Sequence, residues 1–279
     1  MRLASFEHEG RALYGVVEGE AVMPATEAFR ATCPDLRSVL AADAVEALAG
    51  AVGPAVALSE VALLPPIPAP AKIVCVGLNY PKPYPVDGVP PPEPSTIVLF
   101  GKAPQCMVGH GAALEIPPGD AAETFDYEAE IAAVVGRAGR CIAPEDALGH
   151  IAGYAAFNDG SVRAWQKHSV HAGKNFERSG AWGPWIATAD ALPDPATLRL
   201  TARLNGEVVQ EAGASEMIFG LAGQVAYIST LMTLLPGDVI ATGSPDGTGG
   251  SRRPPRFLRK GDRVEIEVSG VGTLSNPVG

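Results

Sequence analysis

Apolar residues in this chain fall into short runs broken by glycine and proline, a pattern that favours strands over long helices. Alternating stretches at Ala12–Val17 and Ala21–Met23 predict two strands, and the Ala/Leu-rich segment Leu36–Ala49 predicts helix. Leu64-Pro-Pro-Ile-Pro-Ala-Pro-Ala71 reads as an extended linker, because each proline fixes φ and moves its predecessor out of the helical region. Strands are expected at Lys72–Val76 and Thr96–Phe100, on either side of a proline-laden loop from Pro81 to Pro94. Two apolar runs, Ile131–Val135 and Ile151–Phe157, read as strands entering a core. Later helical signals are few: Pro144–Leu148, Ser161–His168 and Phe219–Leu234. Near the C-terminus, Pro236-Gly-Asp-Val-Ile and Lys260-Gly-Asp-Arg-Val each set a Gly-Asp turn before an alternating strand. The pattern predicts an α+β, β-dominated protein, with a small N-terminal α+β domain over residues 1–66 and a larger domain of mixed strands over 67–279.

Composition narrows the function classes. With 279 residues, 47% hydrophobic and 19% charged, the chain can bury a sizeable core. A net charge of −10 argues against nucleic acid, whose phosphates need a basic face. The compact basic run, Arg252, Arg253, Arg256, Arg259 and Lys260, is interrupted by Pro254 and Pro255 and reads as a ligand clamp or a subunit contact. The opening Met-Arg-Leu-Ala-Ser-Phe-Glu-His-Glu-Gly lacks the apolar run of a signal peptide, and no stretch approaches the roughly 20 apolar residues of a membrane span. A cytoplasmic protein without a membrane partner is expected. Cys33, Cys75, Cys106 and Cys141 are widely spaced and are expected to be reduced, buried small hydrophobes rather than a thiolate nucleophile or a zinc site.

The candidate chemistry centres on acidic residues. In Phe125-Asp-Tyr-Glu-Ala-Glu-Ile131, residues two apart on a strand share a face about 6.6 Å apart, which sets Asp126, Glu128 and Glu130 together. Like charges on a half-buried strand disfavour each other's ionised forms unless a cation lies between them. Asp159, in Asn158-Asp-Gly-Ser-Val-Arg-Ala-Trp-Gln166, follows a strand pattern and leads into an expected short helix, so it is either an N-cap or a ligand. Three hard oxygen donors suit Mg²⁺, Mn²⁺ or Ca²⁺ better than zinc and leave positions for water and a chelating substrate. The stretch Ala241-Thr-Gly-Ser-Pro-Asp-Gly-Thr-Gly-Gly250 lacks Gly-Lys-Ser/Thr and a following helix, so it is not a nucleotide loop, although its N–H groups could hold a substrate carboxylate.

These segments resemble the fumarylacetoacetate hydrolase family. The likeness runs through Lys72-Ile-Val-Cys-Val-Gly-Leu-Asn-Tyr80, Asp126-Tyr-Glu-Ala-Glu130, Asn158-Asp-Gly-Ser-Val-Arg-Ala-Trp-Gln166, Gly173-Lys174, Gly183-Pro184, Leu204-Asn-Gly-Glu207, Pro236-Gly-Asp-Val-Ile240 and Thr242-Gly-Ser-Pro245, and covers roughly residues 72–278. It implies a mixed β-roll or sandwich catalytic domain, a homodimer, and Mg²⁺ or Mn²⁺ bound by Glu128, Glu130 and Asp159. It further implies Lys174 beside the metal, Arg163 and Gln166 in the substrate pocket, and Tyr80, Thr242, Gly243 and Ser244 contacting substrate. The substrates implied are 2-oxo acids and 1,3-dicarbonyls, whose oxygens chelate a cation that stabilises an enolate or oxyanion.

The chain departs from the family where protons are handled. Hydrolytic and decarboxylating relatives commonly carry Asn-Tyr-x-x-His-x-x-Glu on a lid; here Pro83 and Val86 stand at the His and Glu positions. The family's Lys-x-Phe-Asp becomes Lys174-Asn-Phe-Glu177, and its Gly-Asn-Thr becomes Gly213-Ala-Ser215. A replacement base is sought in His171, His168 or His110, since histidine transfers protons near neutral pH. The expectation is enolate chemistry by tautomerisation or isomerisation, decarboxylation, dehydration or cyclisation. The alternatives are a C–C bond hydrolase with a replacement base, a catalytically silent oxo-acid-binding homologue and a metal-free structural protein.

Overall fold

The structure, a computed structural model, describes residues 1–81 and 93–279. Pro83, Pro85, Val86 and Pro90 to Pro92 lie outside the described residues. Three strands open the chain, β1 (Arg2–His8), β2 (Arg11–Glu18) and β3 (Ala21–Pro24). The expected helix over Leu36–Ala49 is two short ones, α2 (Leu36–Ala41) and α3 (Val45–Ala49), preceded by α1 (Glu27–Thr32). The break falls at Asp43, whose φ of 52° lies in the left-handed region that ends a helix. Two short strands, β4 (Val56–Ala57) and β5 (Ala62–Leu63), complete this part.

The larger part begins with β6 (Ile73–Gly77), β7 (Val98–Gly101), β8 (Met107–Val108), β9 (Phe125–Asp126) and β10 (Ala129–Val135). It continues through β11 (Ile151–Asn158), β12 (Ser161–Val162), helix α4 (Val170–Lys174) and β13 (Gly180–Thr188). Strands β14 (Arg199–Leu204) and β15 (Glu207–Gly213) precede helix α5 (Leu221–Leu231), and β16 (Val239–Ala241), β17 (Arg263–Val268) and β18 (Gly272–Pro277) close the fold.

Among the described residues one mixed sheet holds twelve strands, in the order β4-β3-β2-β1-β13-β11-β10-β16-β6-β7, with β5 on β1 and β8 on β13. It crosses residue 66 without a break, because β1 pairs antiparallel with β13 through Leu3 and Ile186. A second sheet, β15-β14-β17-β18, packs its apolar face, including Leu200, Ala202, Ile266 and Leu274, into the same core as Ile131, Ala133 and Tyr154. The β-dominated mixed architecture expected of the chain is thus observed.

Strand β10 explains its own sequence. It is flanked by β11 on one side and β16 on the other, and all seven of its residues are buried, so it shows no polar alternation. Elsewhere local pattern misleads. Ser161–His168 is not a helix: Ser161 and Val162 bridge to Asp126 and Phe125, buried Val162 being anchored in the core, and only a 3₁₀ turn at Trp165–Lys167 follows. Pro144–Leu148 likewise gives a turn and a 3₁₀ segment, Ala147–His150. Cys33, Cys75 and Cys106 are buried thiols, but Cys141 is exposed on a turn whose backbone N–H donates to Ser229 O. The basic run is tied down within the chain, Arg256 to Asp262 and Arg252 to Glu207.

Candidate metal centre

The site forms where β10 and β11 meet the loops around them. Glu130 is the second residue of β10 and pairs with Phe157 of β11, which places Asp159, one residue past β11, beside Glu128, one residue before β10. Two backbone contacts fix this: Asp159 N–H donates to Glu128 O at 2.8 Å, and Glu128 N–H donates to Asn158 Oδ1 at 3.1 Å. Glu128, Glu130 and Asp159 each offer a carboxylate oxygen, all within 4.8 Å of one another. At that separation two carboxylates repel by roughly 3 kcal/mol at an effective dielectric of about 20. Neighbouring cations must offset this.

They do so unevenly. Lys174 Nζ donates to Glu128 Oε2 and, at 2.7 Å, to Asp159 Oδ2. Lys102 Nζ donates to Asp159 Oδ1 at 2.7 Å, to Gly160 O at 2.9 Å and to Lys174 O at 2.6 Å. Arg163 spans Asp126 and Glu128, through Nε at 2.7 Å and Nη1 respectively. Burial works against the carboxylates of Glu128 and Asp159, yet Lys174 with Arg163, and Lys102 with Lys174, hold both below the usual carboxylate range. Burial likewise opposes the Lys174 ammonium, but Asp159 and Glu128 keep it firmly protonated. Glu130 differs. Burial, reinforced by Asp159 and Glu128, pushes its pKa well above the ordinary value, and the group that donates to it is the Gly243 N–H at 2.9 Å.

Glu128 and Glu130 line a cavity of about 650 Å³ whose wall also includes Tyr80, Arg163, Gln166, Lys174 and Ser244, while Asp159 is fully buried beside them. Two of these carry buried polar atoms with no partner among the described residues, Tyr80 Oη and Arg163 Nη2. Ser244 Oγ accepts from Gln210 Nε2 at 2.9 Å. Thr242 is in the neighbourhood but faces away: its Oγ1 donates to Ile131 O at 2.9 Å, and it lines a separate cavity of about 390 Å³. Gly243 turns its N–H to Glu130 rather than to the cavity; its φ of 106° and the 2.6 Å approach that a Cβ would make to Asn79 require glycine there.

The glycine-rich loop therefore spends its donors on the protein's own carboxylates. Gly249 and Gly250 N–H donate to Asp126 Oδ1 and Oδ2 at 2.8 and 2.9 Å. Asp159 caps no helix, since β12 follows it. His171 is exposed, 3.3 Å from Asn175 Nδ2, and is not among the described residues of the cavity wall. His168 is exposed against Trp165, and His110 accepts from Ser275 N–H; neither lines the cavity.

Two residues of the site escape a reading of the sequence. Lys102 sits one residue after β7 and reaches Asp159 only through the fold; a lone Phe-Gly-Lys carries no local signal. Gln210 of β15 accepts from Ala129 N–H at 3.0 Å and bridges to Ser244, a contact between the two sheets.

Comparison with known proteins finds relatives across the chain. The family described as Fumarylacetoacetate (FAA) hydrolase C-terminal matches residues 72–279, and the one described as Rv2993c-like, N-terminal matches 1–66. The human mitochondrial protein named oxaloacetate tautomerase FAHD2A is 38% identical over 230 residues, 81% of this chain and 72% of its own length. The structure of a fumarylacetoacetate hydrolase from psychrophilic Exiguobacterium antarcticum superposes with a TM-score of 0.86 at 33% identity, covering 100% of this chain and 99% of that one. That of maleylpyruvate hydrolase from Sphingobium sp. SYK-6, in complex with manganese(II) and pyruvate, gives 0.79 at 29% identity, covering 100% and 98%.

Proposed function

This chain belongs to the fumarylacetoacetate hydrolase family, and we propose that it is a divalent-metal-dependent enzyme interconverting the keto and enol forms of a 2-oxo acid or 1,3-dicarbonyl. The observation that carries the reading is a triad of carboxylates, two of which, Glu128 and Glu130, line a cavity whose described wall residues include no imidazole. Keto–enol exchange breaks a C–H bond and forms an O–H bond, or the reverse, and consumes no water. It therefore needs no activated hydroxide, which suits proline and valine at positions 83 and 86.

The donor set fits a cation. Four carboxylates, Asp126, Glu128, Glu130 and Asp159, face three cationic side chains, Lys102, Arg163 and Lys174, and among the described residues Glu130 is the one of the four without an ion pair. Glu128, Glu130 and Asp159 would hold Mg²⁺ or Mn²⁺. Apart from Lys174, one oxygen of each is already engaged: Glu128 Oε1 by Arg163, Asp159 Oδ1 by Lys102 and Glu130 Oε2 by Gly243. The second oxygens of Glu128 and Asp159 accept from Lys174, so among the described residues Glu130 Oε1 is the triad oxygen without a donor; three hard carboxylate ligands with water in the remaining positions suit Mg²⁺ or Mn²⁺. When bound, the cation supplies Lewis-acid stabilisation of the enolate's negative charge.

The chain's own groups orient the substrate. Lys174 Nζ brings a permanent positive charge to the triad, placed for an enolate oxygen. Arg163 Nη2 and Tyr80 Oη are buried donors without partners among the described residues, matched in kind to the carboxylate and the carbonyl of an oxo acid. Burial and the nearby Glu130 raise the Tyr80 pKa, so its proton stays on Oη at neutral pH and can hydrogen-bond to the enol oxygen. The family resemblance supports a homodimer acting on a small molecule, and the net charge of −10 argues against nucleic acid as a partner.

The test follows decay of enol oxaloacetate by ultraviolet absorbance, with and without Mn²⁺, for the wild type and Glu128→Ala. Metal-dependent ketonisation abolished by the substitution is expected. Pyruvate released faster than the tautomers equilibrate, or a rate indifferent to chelator, would overturn the reading.

A further inference from the structure

A buried amide behind the cavity governs what one residue on its wall can do. Gln210, on β15 of the second sheet, accepts from Ala129 N–H through Oε1 at 3.0 Å. Its Nε2 donates to Pro245 O at 2.7 Å and to Ser244 Oγ at 2.9 Å. A backbone N–H only donates and a backbone carbonyl only accepts, so Ala129 and Pro245 fix which end of the amide is oxygen and which is nitrogen. Turning it over would set donor against donor and acceptor against acceptor. Ser244 Oγ is therefore held as an acceptor toward Gln210, and its single proton is left for another partner. Ser244 lines the 650 Å³ cavity beside Glu128 and Glu130, whereas Gln210 is not among the described residues of that wall.

The loop that carries Ser244 is fastened along its length to the segment that carries the two glutamates. Gly243 N–H donates to Glu130 Oε2 at 2.9 Å, and Tyr127 Oη donates to Gly247 O at 3.0 Å. Gly249 and Gly250 N–H donate to Asp126. Ala129 meets the same loop through Gln210. Residues 126, 127, 129 and 130 thus engage it in turn, while Glu128 faces Arg163 and Lys174 instead. At the other three points the loop contributes backbone atoms; at Gln210 it contributes the Ser244 side chain as well. One hydroxyl on the wall is therefore tied, through one glutamine, to the backbone between two carboxylates of the triad.

We propose that Gln210 is a positioning residue for the substrate: it fixes Ser244 as a hydrogen-bond donor toward the carboxylate of the oxo acid and sets where that donor stands relative to the triad. This rests on the function proposed above. Gln210 acts through Ser244 and touches no reacting atom. Without the amide the Ser244 hydroxyl turns freely, and each binding event must orient it again. With the amide the orientation is set before the substrate arrives, which favours binding.

The experiment uses the full chain with Mn²⁺ saturating for each variant and reads KM and kcat separately for enol–keto exchange of oxaloacetate. It compares the wild type, Gln210→Met, Ser244→Ala and the double variant. Ser244→Ala should raise KM about tenfold with kcat held, since a hydrogen bond to a charged group contributes about that much to binding. Gln210→Met should raise KM several-fold in the serine protein and not at all in Ser244→Ala, the non-additivity of two residues that act as one. A glutamine that merely joins the sheets would instead change KM by the same factor in both backgrounds, or lower the urea midpoint alone. Ser244→Thr keeps the hydroxyl and should keep the wild-type KM. Gln210→Asn, a milder change one methylene too short to reach both partners, should repeat the dependence on Ser244 and serves where Gln210→Met does not fold. Multiplying effects on KM, a wild-type KM in Gln210→Asn, or a Ser244→Ala variant with unchanged KM overturns this inference and leaves the proposed function standing. If the Mn²⁺-loaded wild type does not exchange the tautomers, the proposed function falls and this inference with it.

Discussion

Replacing Lys102 with methionine removes the ammonium that reaches Asp159 from inside the fold while keeping most of the side chain's volume. The Lys102 side chain is wholly buried and donates to Asp159 Oδ1, Gly160 O and Lys174 O at 2.6 to 2.9 Å. Breaking one side of a buried ion pair costs about 3–5 kcal/mol, and each carbonyl left without a donor costs about 1–3 kcal/mol. These overlap because relaxation is shared, so about 4 kcal/mol is expected, a large share of the roughly 5–15 kcal/mol that holds a domain together. Lys102 also pins the backbone of Lys174 and the free orientation of Asp159. Losing such an outer partner of a metal ligand lowers affinity by about 10–100-fold. Urea unfolding and Mn²⁺ calorimetry on the same preparations read both effects. Lys102→Arg keeps the charge, but a planar guanidinium does not fit three acceptors converging on one nitrogen, so it should fall between. A Lys102→Met protein with the wild-type urea midpoint and undiminished Mn²⁺ affinity would refute the reasoning.

Three further outcomes follow from the geometry. Glu130 has a raised folded-state pKa, so its proton stabilises the fold fully below the ordinary carboxylate value, and that contribution is lost as pH rises through the raised one. Metal must displace this proton, so Mn²⁺ affinity should climb about tenfold per pH unit up to that raised pKa and then level off. Glu128 and Asp159, held low, add no slope there; calorimetry across pH should show the slope vanish in Glu130→Gln, and a flat wild-type profile would contradict it. Tyr80→Phe deletes a buried hydroxyl that has no partner among the described residues, so stability should hold or rise while kcat/KM for enol exchange drops at least about tenfold; unchanged kinetics would remove Tyr80 from the site. Gly160→Ala would place a Cβ 1.8 Å from Ser179 O, beside Asp159, and should cost about 3 kcal/mol or more in urea unfolding together with Mn²⁺ binding; a stable, metal-binding variant would show that the backbone there can move apart.

Much of this was readable from the chain because the relevant physics is local. The unbroken apolar run of β10 announces burial on both faces, and the Glu-x-Glu spacing at its start survives in the fold as two members of the triad. What stayed hidden depends on contacts distant in sequence. Strand β13 carries Gly180, Gly183 and Pro184, residues that mimic a turn, yet it joins the N-terminal strands to the rest of the sheet. Ser161–His168 has helical composition, but bridging to β9 and burial of Val162 outweigh propensity there. Lys102 lies 57 residues from Asp159, and nothing in its neighbours marks it as a buried ion-pair partner. The glycine-rich loop was recognisable as a source of N–H donors; that Asp126 and Glu130 accept from it required the fold.

The central claim is that Glu128, Glu130 and Asp159 together hold a divalent cation on which a 2-oxo acid can chelate. Titration of the metal-free protein with Mn²⁺, following the free-ion electron paramagnetic resonance signal, tests it most directly. The account predicts one saturable site per chain at micromolar concentration, tightened by added pyruvate and lost when the three carboxylates become Gln, Gln and Asn. No saturable binding, or equal binding by that triple variant, would contradict it.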